Sequence, residues 1–96
     1  MSETADKLLF VSLDDRRLPY SRAEIIMVPW GWEVEVYHVP PARRPLVHKV
    51  GVIRFATQDG YRYAGTVVVD LITERGFVLL SGIGHLRQIA SADQAA

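Results

Sequence analysis

The feature of this sequence that most constrains its fold is the division of its apolar residues into short runs separated by turn-forming residues. None of these runs carries an amphipathic helical stripe longer than two turns, and the pattern is typical of antiparallel β-strands. The chain has 96 residues, which is the size of one domain. The pattern therefore predicts a single all-β domain over residues 8–90, with flexible segments at residues 1–7 and 91–96.

Three segments in the first half of the chain are predicted to be strands. Leu8–Leu13 is the first, and Trp32–Val39 alternates apolar and acidic side chains, as a strand with one buried face does. Ser21–Val28 is ambiguous, because its start matches a helix-capping box whereas its β-branched residues favour a strand. We interpret it as a strand that turns at Pro29–Gly31 and pairs with the strand that follows.

The second half of the chain contains a strong hairpin signal at Asp59 and Gly60. Both positions of a tight two-residue turn need positive φ, which aspartate tolerates and glycine adopts freely. A two-residue loop places Val52 opposite Val67. The sequence therefore predicts a valine-rich core face on this pair of strands.

A second hairpin is predicted at Thr73–Gly76, between a strand that ends near Ile72 and one that begins at Phe77. This loop places Leu71 beside Val78. In the same register Val69 lies beside Leu80. The two hairpins together predict a three-stranded meander.

The reverse side of this meander is less polar than a solvated sheet face should be. In the predicted register that side carries Ile53, Phe55, Val68, Ile72, Phe77 and Leu79. Something has to cover it, either the first hairpin, the segment His85–Ala92 or a second copy of the chain. The first two alternatives predict a small antiparallel barrel or roll, such as an SH3-like barrel, of five to seven short strands with room for one short terminal helix. The third predicts a homodimer.

Composition excludes several classes of function. The chain has no cysteine, so it contains neither disulfides nor thiolate zinc sites. Its apolar runs fall short of the roughly 18 residues that span a bilayer, and residues 1–7 lack the basic and apolar segments of a secretory signal. The sequence around Gly82 and Gly84 lacks the other residues that a phosphate-binding or dinucleotide-binding loop needs. We therefore expect a soluble cytoplasmic protein without a cofactor.

The net charge of zero hides a basic middle third. Residues 37–66 contain five basic residues and one acidic residue, whereas residues 1–36 contain four basic and seven acidic residues. Such a patch could meet phosphate or an acidic protein surface. The simpler interpretation is that these charges are solvated on outward strand faces.

Metal binding would depend on the histidines, whose resting pKa lies nearest neutrality. If Trp32–Val39 pairs with Leu46–Phe55, His38 lies opposite His48 at metal-binding distance. A third ligand is not evident, and hydrogen bonding at strand ends is the simpler interpretation of both histidines.

Hydrolysis would need a nucleophile beside an oriented histidine. Ser81, His85 and Asp70 provide the residue types, but no sharp nucleophile-bearing turn surrounds the serine. The chain is therefore predicted to be non-catalytic, with a small hydrolase or metal site around the histidines as the last alternative.

Single-stranded nucleic-acid binding is the second hypothesis. Tyrosines on a sheet can stack bases while arginines contact the phosphate backbone. In the predicted register Tyr61 and Tyr63 share a face with Arg54, and Arg62 lies between the tyrosines. The alternative is that the tyrosines close one end of the core.

The leading hypothesis is a protein-interaction or assembly module that forms a homo-oligomer. Trp32 is in step with the buried face of its strand, so Trp30 is the predicted contact residue. Together with Tyr20 and the basic, proline-rich loop that carries Arg43 and Arg44, it predicts a protein-binding surface.

Overall fold

The computed structural model describes residues 5–91, and within them the chain is almost entirely strand, which confirms the all-β prediction. A single 3-10 turn at Pro41–Arg43 interrupts the predicted proline-rich loop. β1 begins at Ala5, so the first strand starts three residues earlier than predicted, and residues 1–4 and 92–96 lie outside the described part of the chain. The strands are β1 Ala5–Leu13, β2 Arg16–Arg17, β3 Arg22–Val28, β4 Gly31–Tyr37, β5 Val50–Thr57, β6 Tyr61–Ile72 and β7 Val78–Ser91.

Six of these strands form a closed antiparallel barrel. They are hydrogen-bonded in the order β1, β3, β4, β7, β6, β5, and β5 pairs in turn with β1. β2 is a short addition that pairs with the end of β1. Closure removes the open edges of the sheet, which confirms the predicted small barrel. The first hairpin covers the face of Val67, Val69 and Leu80, however, and not the predicted reverse side with Val68 and Leu79. Within residues 5–91, no helix has the length and apolar character needed to cross a bilayer.

The hairpin of β3 and β4 follows the sequence pattern closely. Val28 pairs with Gly31, so the chain turns through Pro29 and Trp30, and the ambiguous segment is a strand. Alternate side chains of β3 and β4 point into the barrel, and Trp32 is buried as predicted. The strand interpretation is correct because tertiary burial of the β-branched face outweighs a helix cap.

The predicted register of β5 and β6 is wrong by one residue. The loop has three residues, Gln58–Gly60, and the N–H of Gly60 donates to the carbonyl oxygen of Thr57. Gly60 has φ +94°, so this is a turn followed by a left-handed glycine rather than a two-residue turn. A slip of one residue exchanges the faces of a strand. Val52 is therefore opposite Thr66 and points outward, whereas the predicted reverse-face residues Ile53 and Phe55 are fully buried in the core.

The predicted register of β6 and β7 is correct at one position and wrong at another. Val69 pairs with Leu80, as predicted. One step further, Leu71 lies opposite Leu79 instead of Val78, because a β-bulge at Asp70 adds a residue to β6. The bulge turns Leu71 toward the exterior, where it is exposed.

Trp32 fills one end of the barrel. Its indole ring lies against Gly65 of β6 and Gly82 of β7, where a Cβ atom would overlap ring atoms. Its Nε1–H donates to the carbonyl oxygen of Gly84 at 2.9 Å. The two glycines therefore provide the space that lets β4, β6 and β7 close around a tryptophan.

We predict that Gly82→Ala lowers the free energy of unfolding by about 1–3 kcal/mol, because the added methyl group overpacks the indole site. Urea denaturation measures the change. Gln88→Ala is the control, since Gln88 is exposed on the same strand and a surface substitution of this kind changes stability little. An equal loss in both variants would contradict this role of Trp32.

Candidate functional site

An apolar patch lies on the outside of β5, β6 and β7. Val50 pairs with Val68, Leu71 pairs with Leu79, and Thr66 connects Val52 with Ile83 across the three strands. Four of the apolar side chains are about half exposed, with Val50 at 57%. We call this patch the outer apolar face, and it consists of Val50, Val52, Val68, Leu71, Leu79 and Ile83.

Opposite charges border the outer apolar face on its two sides. Glu33 and Glu35 of β4 lie beside Ser81 and Leu79 of β7. On the other side, Lys49 precedes β5 and forms an exposed ion pair with Asp14. Arg54, further along β5, forms a second exposed ion pair, with Asp15. Exposed pairs of this kind contribute little energy, so these cations can change partners.

The residues of the predicted protein-binding surface do not lie together. Trp30 is 78% exposed in the turn that precedes β4, whereas Arg43 and Arg44 lie in the loop that follows it. Tyr20 packs against the core, and its hydroxyl donates to the carbonyl oxygen of Leu8 at 3.1 Å. Burial raises the pKa of Tyr20. Only Trp30 among them is a freely exposed aromatic side chain.

The aromatic and basic residues proposed for nucleic-acid binding are also divided between two faces. Tyr63 is opposite the buried Phe55 and stacks on it, with ring centroids 5.5 Å apart. Arg54 points outward. The prediction that Arg54 and Tyr63 share a face is therefore wrong, because the register of β5 against β6 is shifted by one residue. Tyr61 is exposed, and the guanidinium of Arg62 lies 5.9 Å from the centroid of the Phe10 ring.

The strand pairing that would bring His38 opposite His48 is absent, because β4 lies between β3 and β7. His38 instead has its Nδ1 atom 2.6 Å from the hydroxyl oxygen of Ser21. Across residues 5–91, no three histidine, aspartate or glutamate side chains are grouped to hold a metal ion.

In the proposed hydrolase arrangement, Ser81 contacts Asp70 directly. The Ser81 hydroxyl donates to Asp70 at 3.2 Å, with no histidine between them. His85 is exposed further along β7. This geometry gives the serine a hydrogen-bonded acid but no adjacent base.

A recess of about 410 Å³ lies at the end of the barrel where β1 turns into β2. Two arginines that the sequence predicted as contact residues, Arg43 and Arg44, form part of its wall. Three further cations were missed: Arg16, Arg17 and Lys49. The Arg16-Arg17 dipeptide was the only local signal, and its proximity to the distant loop depends on the tertiary fold. We call this recess the basic cavity.

Asp14 is the one acidic residue that lines the basic cavity. Its Oδ1 atom accepts the backbone N–H of Val52 at 2.9 Å, and Lys49 lies 3.5 Å from Oδ2. The hydrogen bond from Val52, followed by the contact with Lys49, lowers the pKa of Asp14 from its usual value of 3.8. Asp14 therefore fastens the β1–β2 turn to β5 as a charged carboxylate.

We predict that Asp14→Asn destabilises the fold at neutral pH and that this effect disappears in acid. The folded-state pKa is the lower one, so the carboxylate stabilises the fold above pH 3.8 and this contribution is lost as the pH falls through the folded-state pKa. Urea denaturation of both proteins from pH 7 to about pH 2.5 measures it. A difference that stays constant over this range would contradict the prediction.

Comparison of the chain with protein-family models, with curated proteins and with solved structures gives no significant match in any of the three.

Proposed function

We propose that this chain is a non-catalytic assembly module that associates with a second copy of itself through the outer apolar face. The observation that supports this proposal is a continuous set of half-exposed valine, leucine and isoleucine side chains on one side of a closed barrel. Every strand of the barrel already has two neighbours, so this surface is available to another molecule rather than to the rest of residues 5–91.

Burial of this surface would be energetically favourable. Removing apolar area from water stabilises a contact by roughly 25 cal/mol per Å². A half-exposed valine or isoleucine therefore contributes about 1 kcal/mol when a partner covers it. Chains of this length bury a modest share of their surface alone, so a contact of several such side chains would add substantially to stability.

Two features favour a second copy over a different partner. The chain has a net charge of zero, so two copies do not repel each other at long range. The acidic border of the outer apolar face, Glu33 and Glu35, lies across the patch from the basic border, Lys49 and Arg54. A two-fold arrangement brings the acidic border of one copy to the basic border of the other.

Sedimentation velocity across a range of protein concentrations tests the proposal. We expect the wild-type chain to dimerise as its concentration rises. Val50→Lys replaces the most exposed side chain of the outer apolar face with a charged one. It is expected to weaken dimerisation by at least about ten-fold, because burying an unpaired charge is costly.

Leu9→Lys is the matched control. Leu9 is 58% exposed, nearly the same as Val50, but it lies on the bulge of β1, outside the outer apolar face. The Leu9→Lys variant is expected to dimerise as strongly as the wild type. A wild-type chain that stays monomeric at millimolar concentration would overturn the proposal, and so would an equal loss in both variants.

A further inference from the structure

The basic cavity carries more positive charge than its surroundings neutralise. Five cationic side chains line it against one carboxylate, that of Asp14, and Asp14 is already paired with Lys49. Within residues 5–91, none of the ion pairs includes the four arginines that line the cavity. Like charges around one recess repel one another, so an anion that enters the cavity gains interaction energy with several of them at once.

Several of these arginines are held in place before any ligand arrives. Arg44 donates from Nε to the carbonyl oxygen of Val39 at 2.8 Å and from Nη2 to that of Glu74 at 3.2 Å. Arg43 donates to the carbonyl oxygen of Arg17 at 3.0 Å, which ties the two walls of the cavity together. A guanidinium has five N–H donors, so both groups keep donors for a ligand. Side chains that are already ordered lose less entropy on binding.

The guanidiniums of Arg17 and Arg16 differ in how they are held. That of Arg17 stacks over the ring of Phe10, 4.7 Å from its centroid, and contributes positive potential from the wall. Arg16 is exposed and is not engaged in any hydrogen bond, ion pair or ring contact of its side chain in the described part of the chain. It is the guanidinium with the most donors available to a ligand.

The size and lining of the basic cavity limit the class of ligand. A volume of about 410 Å³ is within the range of sites for small organic molecules. Its lining includes apolar side chains such as Leu13, Leu18 and Leu46 beside the cations, which suits a molecule with both an organic part and an anionic group. A nucleic-acid strand needs a basic track that continues beyond one recess, whereas the neighbouring Arg54 is paired with Asp15.

We propose that the basic cavity binds a small molecule that carries a phosphate group. The planar guanidiniums of Arg16, Arg43 and Arg44 match the geometry of phosphate oxygens, which they bind with paired hydrogen bonds. Lys49 and Arg17 add positive potential, and the leucines contact the organic part. The four arginines of this site lie outside the outer apolar face, and only Lys49 belongs both to the cavity and to the basic border of that face.

Isothermal titration calorimetry of the full chain at low salt tests the proposal, with inorganic pyrophosphate and ADP as the probes. We expect both to bind. Arg16→Gln is expected to weaken binding by about ten-fold, because it removes a charged donor without removing a contact of the fold. Arg43→Gln is a second variant, from the opposite wall, and it also removes the hydrogen bond to the carbonyl oxygen of Arg17. The NMR spectrum of each variant shows whether the fold is retained.

Arg87→Gln is the matched control, since it removes the same charge from an exposed position on β7 away from the cavity. Its affinity for both probes is expected to equal that of the wild type. If neither pyrophosphate nor ADP binds at millimolar concentration, the proposal is overturned. Equal affinity for pyrophosphate and sulfate would also overturn it, as would an equal loss in all three variants. Binding of a single-stranded oligonucleotide in place of both probes would assign the cavity to nucleic acid instead.

Discussion

The pairing of β1 with β5 is the contact on which the rest of the structure depends. It joins the first and second halves of the chain and converts an open sheet into a closed barrel. Without it, Ile53 and Phe55 would face solvent, and two strand edges would be left with unpaired backbone groups. With it, both residues are fully buried.

Closure also determines what remains outside. The inner face of the meander becomes the core, and Trp32 closes one end by packing on glycines of β6 and β7. The outer apolar face then has no further strand available to cover it within the described chain. The same pairing carries the β1–β2 turn to β5, where Asp14 caps the N–H of Val52 and the basic cavity forms beside it. Both candidate surfaces are consequences of the closed barrel.

The errors of register show how far local patterns extend. The Asp59-Gly60 pair correctly indicated a turn, but one additional loop residue exchanged the faces of β5. The bulge at Asp70 likewise moved Leu71 outward while leaving the pair Val69 and Leu80 correct. Loop length and bulges depend on which register packs best in the barrel, and a local window does not contain that information.

The sequence by itself determined the strand content, the β3–β4 hairpin, the burial of Trp32 and the exposure of a basic loop at Arg43, because alternation and proline chemistry act over a few residues. Only the tertiary structure decided which face of β5 is buried. It also brought the loop that holds Arg43 to Arg17, across a separation of 26 residues. Contacts between distant segments are selected by the packing of the whole barrel, and no short stretch of sequence encodes them.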